Sequence, residues 1–259
     1  MFDDVHSQQS AYRMGCEAGM WKRFFFLFIF CFGGSIAAHA QCIVEDSYVA
    51  RLSASDHFNS NGGRLTEAAA IIRQDRANYH VFQLADPEDQ SDRFFDSKQN
   101  RSVLERLLQN GRSTPGAIAE IVNGTPMVLV QVCRSASGSE YVTVSIIEAP
   151  GQCDQKDFYV ARLGAEDHFN SSGVRLDNAP AIIRQDRANF FVFNKRDPED
   201  QSDTFFNMKE SREMLEKMLE NGKSTPETLA EIINGTPLIF VSVCQQDRSY
   251  YIDATVIEK

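Results

Sequence analysis

The chain lacks the signatures by which many enzymes are recognised. It contains no G-x-S-x-G nucleophile elbow, no H-E-x-x-H zinc helix and no glycine-rich phosphate loop. C-x-x-C spacing is also missing, which argues against a thiolate zinc site. Basic residues are in deficit, 26 Lys and Arg against 36 Asp and Glu for a net charge of −10. Nucleic-acid binding draws most of its affinity from phosphate neutralisation, so a chain with no basic stripe is a poor candidate for it. The longest apolar run, Phe24 to Phe32, is far short of the ~20 residues that span a bilayer, which excludes it as a transmembrane anchor.

That run sits in a segment with its own logic. Trp21-Lys22-Arg23 is a basic start, the apolar stretch follows, and Ala38-His39-Ala40 has the small-x-small pattern of a signal-peptidase site. Residues 1–40 therefore read as a signal peptide, with Met20 the expected true start and Gln41 the new N-terminus. These forty residues carry equal numbers of acidic and basic side chains, so their removal leaves the charge at −10. The expected destination is secreted or periplasmic.

The remainder says the same thing twice. The segment from Cys42 to Cys133 restarts without a gap at Cys153 and runs to Cys244, with more than half of the aligned positions identical. A period of that clarity marks two copies of one folding unit, 41–149 and 150–259, joined by Ala149-Pro150-Gly151-Gln152. Beyond Cys16 and Cys31 in the leader, four cysteines remain, two per copy at equivalent positions. Repeat symmetry favours Cys42–Cys133 and Cys153–Cys244. The competing pairing joins Cys133 to Cys153 and leaves Cys42 for Cys244.

Within each copy the pattern predicts a β-α-α-α-β-β unit. Tyr48 to Leu52 reads as a strand. A first helix follows, capped by Thr66 or Asp177 and presenting Ile71, Ile72, Tyr79 and Phe82 as its apolar face. A second helix starts near Asp96 or Asn207. It carries Val103, Leu104, Leu107 and Leu108 (Met214, Leu215, Met218 and Leu219 in copy two) and stops at Asn110-Gly111 or Asn221-Gly222, where a left-handed glycine is expected. Thr114-Pro115 opens a short third helix that ends at Asn123-Gly124. Met127–Cys133 and Tyr141–Ile147 form a hairpin whose core face is Val142, Val144 and Ile146. The expected fold is thus α+β: two tandem copies of a small antiparallel sheet, strand two central, helices on one face and one disulfide per copy.

Helix surfaces differ between the copies, as in Arg112 against Lys223, whereas three polar stretches are unchanged. The first is Asp56-His57-x-Asn59-Ser60 with its copy Asp167-His168-x-Asn170-Ser171. It holds the one histidine common to both units, since Phe191 replaces His80. An aspartate beside a histidine suits a general base, while Asp and Asn in a loop before Gly62 equally suit a structured turn. The second stretch is Arg73-Gln74-Asp75-Arg76-Ala77-Asn78. Arg73 and Arg76, three apart, could clamp a carboxylate or sulfate, or pair with acids of the next loop.

That loop is the third stretch, with Asp86, Glu88, Asp89 and Asp92 in copy one and Asp197, Glu199, Asp200 and Asp203 in copy two. Four carboxylates in seven residues are a candidate calcium site, although the EF-hand pattern is missing. No other cofactor is implied. Asn100, Asn123, Asn170 and Asn234 match the N-glycosylation sequon.

Two functions fit these residues. The first is an exported binding protein that catalyses nothing, its two copies supplying avidity for an envelope polymer or a basic secreted protein. Asn59, Arg76 and Asn78, with Asn170, Arg187 and Asn189, are its candidate contacts. The alternative is a hydrolase with a duplicated site, His57, Asp56, Arg73 and Asp75 in copy one and His168, Asp167, Arg184 and Asp186 in copy two.

Overall fold

The computed structural model describes residues 42–148 and 153–259. The leader and the linker at 149–152 lie outside this range, and with them the expected cleavage site and start. Copy one comprises β1 (Ile43–Arg51), α1 (Ala68–Ala77), α2 (Lys98–Ser102), α3 (Leu104–Gln109), α4 (Pro115–Asn123), β2 (Met127–Arg134) and β3 (Glu140–Ile147). Copy two repeats it as β4 (Asp154–Arg162), α5 (Ala179–Ala188), α6 (Lys209–Glu213), α7 (Leu215–Glu220), α8 (Pro226–Asn234), β5 (Leu238–Gln246) and β6 (Ser249–Glu258). Each copy forms a three-stranded antiparallel sheet with the chain's second strand in the centre, β1-β2-β3 and β4-β5-β6.

Alternation decides which face of the sheet is covered by helices. Tyr48, Ala50 and Leu52 of β1 and its end, Val128, Val130 and Val132 of β2, and Val142 and Val144 of β3 pack on Ile71, Ile72, Leu104, Leu107 and Ile121. Copy two builds the same core around Tyr159, Ile183, Leu215, Val241 and Ile252. The opposite faces pack on each other. Val49, Met127, Leu129 and Ile147 meet Val160, Leu238 and Phe240 in one shared apolar layer. The two copies are therefore a sheet-on-sheet sandwich with helices outside. This explains why β2 and β5 read as nearly unbroken apolar runs, because a strand covered on both faces has no polar side to alternate with. Gln90 donates to its counterpart in copy two, Gln201, at 3.1 Å, and contact of a position with its repeat equivalent marks a near-twofold axis.

Disulfides join Cys42 to Cys133 and Cys153 to Cys244, with Cα separations of 5.1 and 5.7 Å, closing the symmetric framework. Each ties the start of its copy's first strand to the end of the second.

Several local expectations change. The first strand begins at Ile43 rather than Tyr48. Helix α1 is capped at Glu67 with no side-chain bond, and α5 by Asn178, whose side chain accepts from the Ala181 amide; Thr66 and Asp177 lie one residue too early. The second predicted helix is two short ones, broken at Val103 (φ −102°, ψ 4°) and Met214. Gly111 and Gly222 are not left-handed. Any Cβ there would run into the carbonyl of Val142 or Ile252, so glycine is needed for close approach to the edge strand. Thr114 and Thr225 do cap α4 and α8 as expected, with proline at the first turn.

Helices α1 and α5 continue into single π-turns, Asn78–Phe82 and Asn189–Phe193, that end on left-handed Gln83 (φ 55°) and Asn194 (φ 52°). The turn rotates Phe82 out of the expected apolar face, leaving it half exposed at 50%, with Val81 exposed beside it. The second copy exposes Val192 and Phe193 in the same way.

Because the copies share a core layer, they should unfold together. Removing one bridge with Cys42→Ser and Cys133→Ser should lower the unfolding free energy by up to about 4–5 kcal/mol, the chain-entropy figure for a loop of this size. Denaturant unfolding of that variant, followed by tyrosine fluorescence and far-UV circular dichroism, should still show one coincident transition. Two separated transitions would show that the copies are independent domains.

Candidate functional site

The unchanged polar stretches have separable roles, and two of the three are absorbed by the fold. The Asp86–Asp92 loop covers the free edge of β1. Gln90 donates its amide to the Val49 carbonyl (2.9 Å), and its side-chain oxygen accepts the Val49 amide (2.8 Å). Asp89 accepts from the amides of Arg51 (3.0 Å) and Asp86 (2.8 Å). Below the loop, Asp46 accepts from Arg93 and Phe94, each at 2.8 Å. An uncovered edge would present unpaired amides and carbonyls to other chains. The acidic side chains thus act as backbone acceptors, and Glu88 pairs with Arg51 at 3.1 Å. Among the described residues no three acids, histidines or cysteines gather as a metal cluster.

Arg76 anchors that loop to the core. It is fully buried, with Nε on Asp75 (2.7 Å) and Nη1 on the Gln90 carbonyl (2.9 Å) and Asp92 (3.2 Å). Its guanidinium lies over Tyr48, 4.0 Å from the ring centroid. Arg187 repeats every contact, on Asp186, the Gln201 carbonyl, Asp203 and Tyr159. Arg73 and Arg184 are exposed on the other side of their helices. Of the two readings of Arg73 and Arg76, pairing with an acid of the next loop holds for Arg76, on Asp92, and the clamp is not formed, since a burial difference separates residues three apart. His80 adds a bond to Asp92 (2.8 Å) in copy one only.

The third stretch is split. Asp56 accepts from Asn78 (2.8 Å) and from the Ser53 amide (2.8 Å), and Asn78 in turn accepts from Gln74. Asn59 folds its own turn by accepting from the amides of Asn61 and Gly63, with Gly62 at φ 79°. Copy two matches, Asp167 accepting from Asn189 (2.8 Å) and Asn170 accepting from Ser172 and Val174. The sequon residues Asn100 and Asn123 donate their amides to the Phe94 and Ala119 carbonyls.

His57 is left over. It is 4% exposed, its copy His168 3%, and neither ring nitrogen of either makes a hydrogen bond. Each lines a small pocket. In copy one this is about 260 Å³, walled by Ala54, Phe58, Arg64 and the Asn123–Thr125 turn. In copy two it is about 290 Å³, walled by Ala165, Phe169, Arg175 and Asn234–Thr236. Phe58 and Phe169 remain 43% and 42% exposed at the rim. Asp56 does not touch His57, so the adjacency in sequence does not make a dyad. Arg64 and Phe58 were not singled out by sequence reasoning, and the Asn123 turn was read there only as a helix end and a sequon. Their available signal was position, because Phe58 and Arg64 flank the Asn59 turn in both copies, where an isolated backbone bridge joins them.

A larger cleft of about 970 Å³ lies between Tyr141–Ile146 and the second copy's Asp197–Glu199 and Ile257–Lys259. Two of its cations are engaged, Arg162 with Glu199 (3.2 Å) and Glu258 (3.7 Å), and Lys259 with Glu231 (3.3 Å), while Arg112 in its wall makes no ion pair among the described residues.

Burial raises several carboxyl pKa values. Asp75 is pushed up to about 7 despite Arg76. Asp167 reaches about 7 and Asp200 about 8, in each case from burial first and then the charge of Asp186. Burial lowers His168, and the Arg175 charge adds to this; nearby Gly235 and Leu163 backbone groups oppose it without closing a hydrogen bond.

Raised carboxyl values mean that the folded state holds protons the unfolded chain releases near pH 4. That stability is complete at or below the unfolded value and is lost as pH rises through about 7 to 8. His168 acts in the opposite sense, losing stability as pH falls through its lowered value. The aspartates dominate by number, so the melting midpoint should be higher at pH 5 than at pH 8, and Asp200→Asn should narrow the gap. A midpoint that climbs from pH 5 to 8 would contradict this. Arg76→Met should cost about 3–5 kcal/mol, because Asp75 and Asp92 are left buried without their cation, and calorimetry would read this as a large loss in midpoint.

No family model matches this chain, and neither a curated protein nor a solved structure matches it, so its function rests on this geometry alone.

Proposed function

We propose that this is an exported binding protein with two equivalent contact sites, one per copy, that engages a paired or repeated target in the cell envelope or surrounding medium. The observation that carries the reading is the duplicated pocket, with an unpartnered histidine in its wall and an exposed phenylalanine and an arginine beside it. Export is supported by the leader pattern at residues 1–40 and by two structural disulfides, which persist in oxidising compartments. No helix among the described residues is long and apolar enough to cross a membrane.

The exposed Val81-Phe82 and Val192-Phe193 pairs favour a protein partner over a purely polysaccharide one, since aromatic anchors dominate protein interfaces. The net charge of −10 favours a basic one. A hydrolase has less support. A general base needs an orienting partner, whereas Asp56 is occupied by Asn78 and Ser53, Arg73 is exposed and Asp75 is locked to Arg76.

The test uses the full oxidised chain with one or both pockets altered: Phe58→Ala with Arg64→Ala, Phe169→Ala with Arg175→Ala, and all four. Release from native envelope or medium fractions is timed on an immobilised surface. Loss of one pocket should speed release about 100-fold or more, the range expected when avidity is lost, and loss of both should abolish retention. Wild-type release from the single-pocket variants would defeat the two-site reading.

A further inference from the structure

Of the polar groups kept in both copies, Asp56, Asn59, Asp75, Arg76, Asn78, Asp89 and Asp92 all find partners inside their own copy. His57 and His168 do not, although both are more than nine-tenths buried. A buried imidazole without hydrogen bonds carries a desolvation cost that an apolar residue of similar size would avoid. In both copies the ring is part of a pocket wall that also includes an arginine, and its nitrogens, closed to solvent in this structure, meet a ligand there only when the ring turns about its side-chain bonds.

The charge of that space is specific. Arg64 makes no ion pair among the described residues, and Arg175 bonds only the Ile233 carbonyl, at 3.2 Å. One guanidinium and one imidazole N–H form a two-donor set of net charge +1 when the ring is neutral, the state that its lowered pKa favours in copy two. A monoanion with two acceptor oxygens matches that set, whereas a dianion would be left half neutralised in a chain of net charge −10. The volumes, about 260 and 290 Å³, admit one functional group and a short stem rather than a whole cofactor. Phe58 and Phe169 at the rim supply an apolar wall for that stem.

We infer that His57 with Arg64, and His168 with Arg175, each hold a single carboxylate of the partner, presented by a chain end or an acidic side chain. This rests on the two-site binding reading above and names the chemistry of its contact. A partner that is basic overall can still offer such a group, and pairing it with these pockets would orient the partner as well as attract it.

The experiment follows the imidazole ring resonances of His57 and His168 in the full oxidised chain by NMR. The probes are N-acetylalanine, N-acetylglutamate α-amide and, as the uncharged control, N-acetylalaninamide, all at constant ionic strength. Both rings should shift saturably with one or both carboxylates and not with the amide. The stronger carboxylate identifies a chain end or a side chain as the source. Arg64→Ala should weaken the His57 response about tenfold or more and leave His168 unchanged, and Arg175→Ala should do the reverse. Equal responses to the amide, or responses that survive loss of the arginine, would overturn the carboxylate assignment. If the pocket variants still shorten partner retention in that case, only the ligand chemistry is wrong. If they do not, the two-site reading falls with it.

Discussion

A guanidinium with no exposure to solvent is the constraint on which the rest of each copy depends. Arg76 cannot be buried without Asp75 and Asp92 beside it, and those acids cannot be buried without Arg76. It also donates to the Gln90 carbonyl, which places the acidic loop against β1. Tyr48, under the guanidinium, connects the same group to the sheet and, through its edge contact with Phe95, to the segment that leads into α2. Helix, loop and strand are thereby held by one side chain, and Arg187 does the same in copy two.

Two further devices turn each small sheet into a stable half. The Gln90 loop pairs with the outer edge of β1, and Ser113 accepts the Val144 amide on the outer edge of β3, so each edge is partly covered. The face that helices do not reach is covered by the other copy. Duplication is therefore structural, because a single unit would expose Met127, Leu129 and Val49 to water. The near-twofold relation, centred where Gln90 meets Gln201, makes the two pockets equivalent in environment as well as in sequence.

The polar stretches show how far the fold absorbs residue types that a sequence offers as a site. Carboxylates that look like a cation site are occupied by backbone amides, where each replaces a hydrogen bond that water would otherwise supply. The histidine is the member of these stretches that no neighbour satisfies. Its neighbours Phe58 and Arg64 are held by the tight Asn59 turn, so the pocket sits on a loop braced by its own hydrogen bonds.

The repeat, the two symmetric disulfides, the α+β class, the central second strand and the inward face of β3 were all determined by the sequence itself. Each follows from a local rule: period-two alternation, paired cysteines, or proline and threonine at the start of α4. Only the tertiary structure decided the rest. Phe82 has the spacing of a core residue and is turned outward by a π-turn, a backbone choice that hydrophobic pattern does not encode. Gly111 has the sequence context of a left-handed cap, yet it is required by a carbonyl on a distant strand. Arg73 and Arg76 share a spacing and not an environment, because helix orientation against the core sends one to solvent and the other to Tyr48. Asp56 and His57 are adjacent in the chain and have different surroundings, since consecutive side chains diverge and only folding brings Asn78 to one and Arg64 to the pocket of the other.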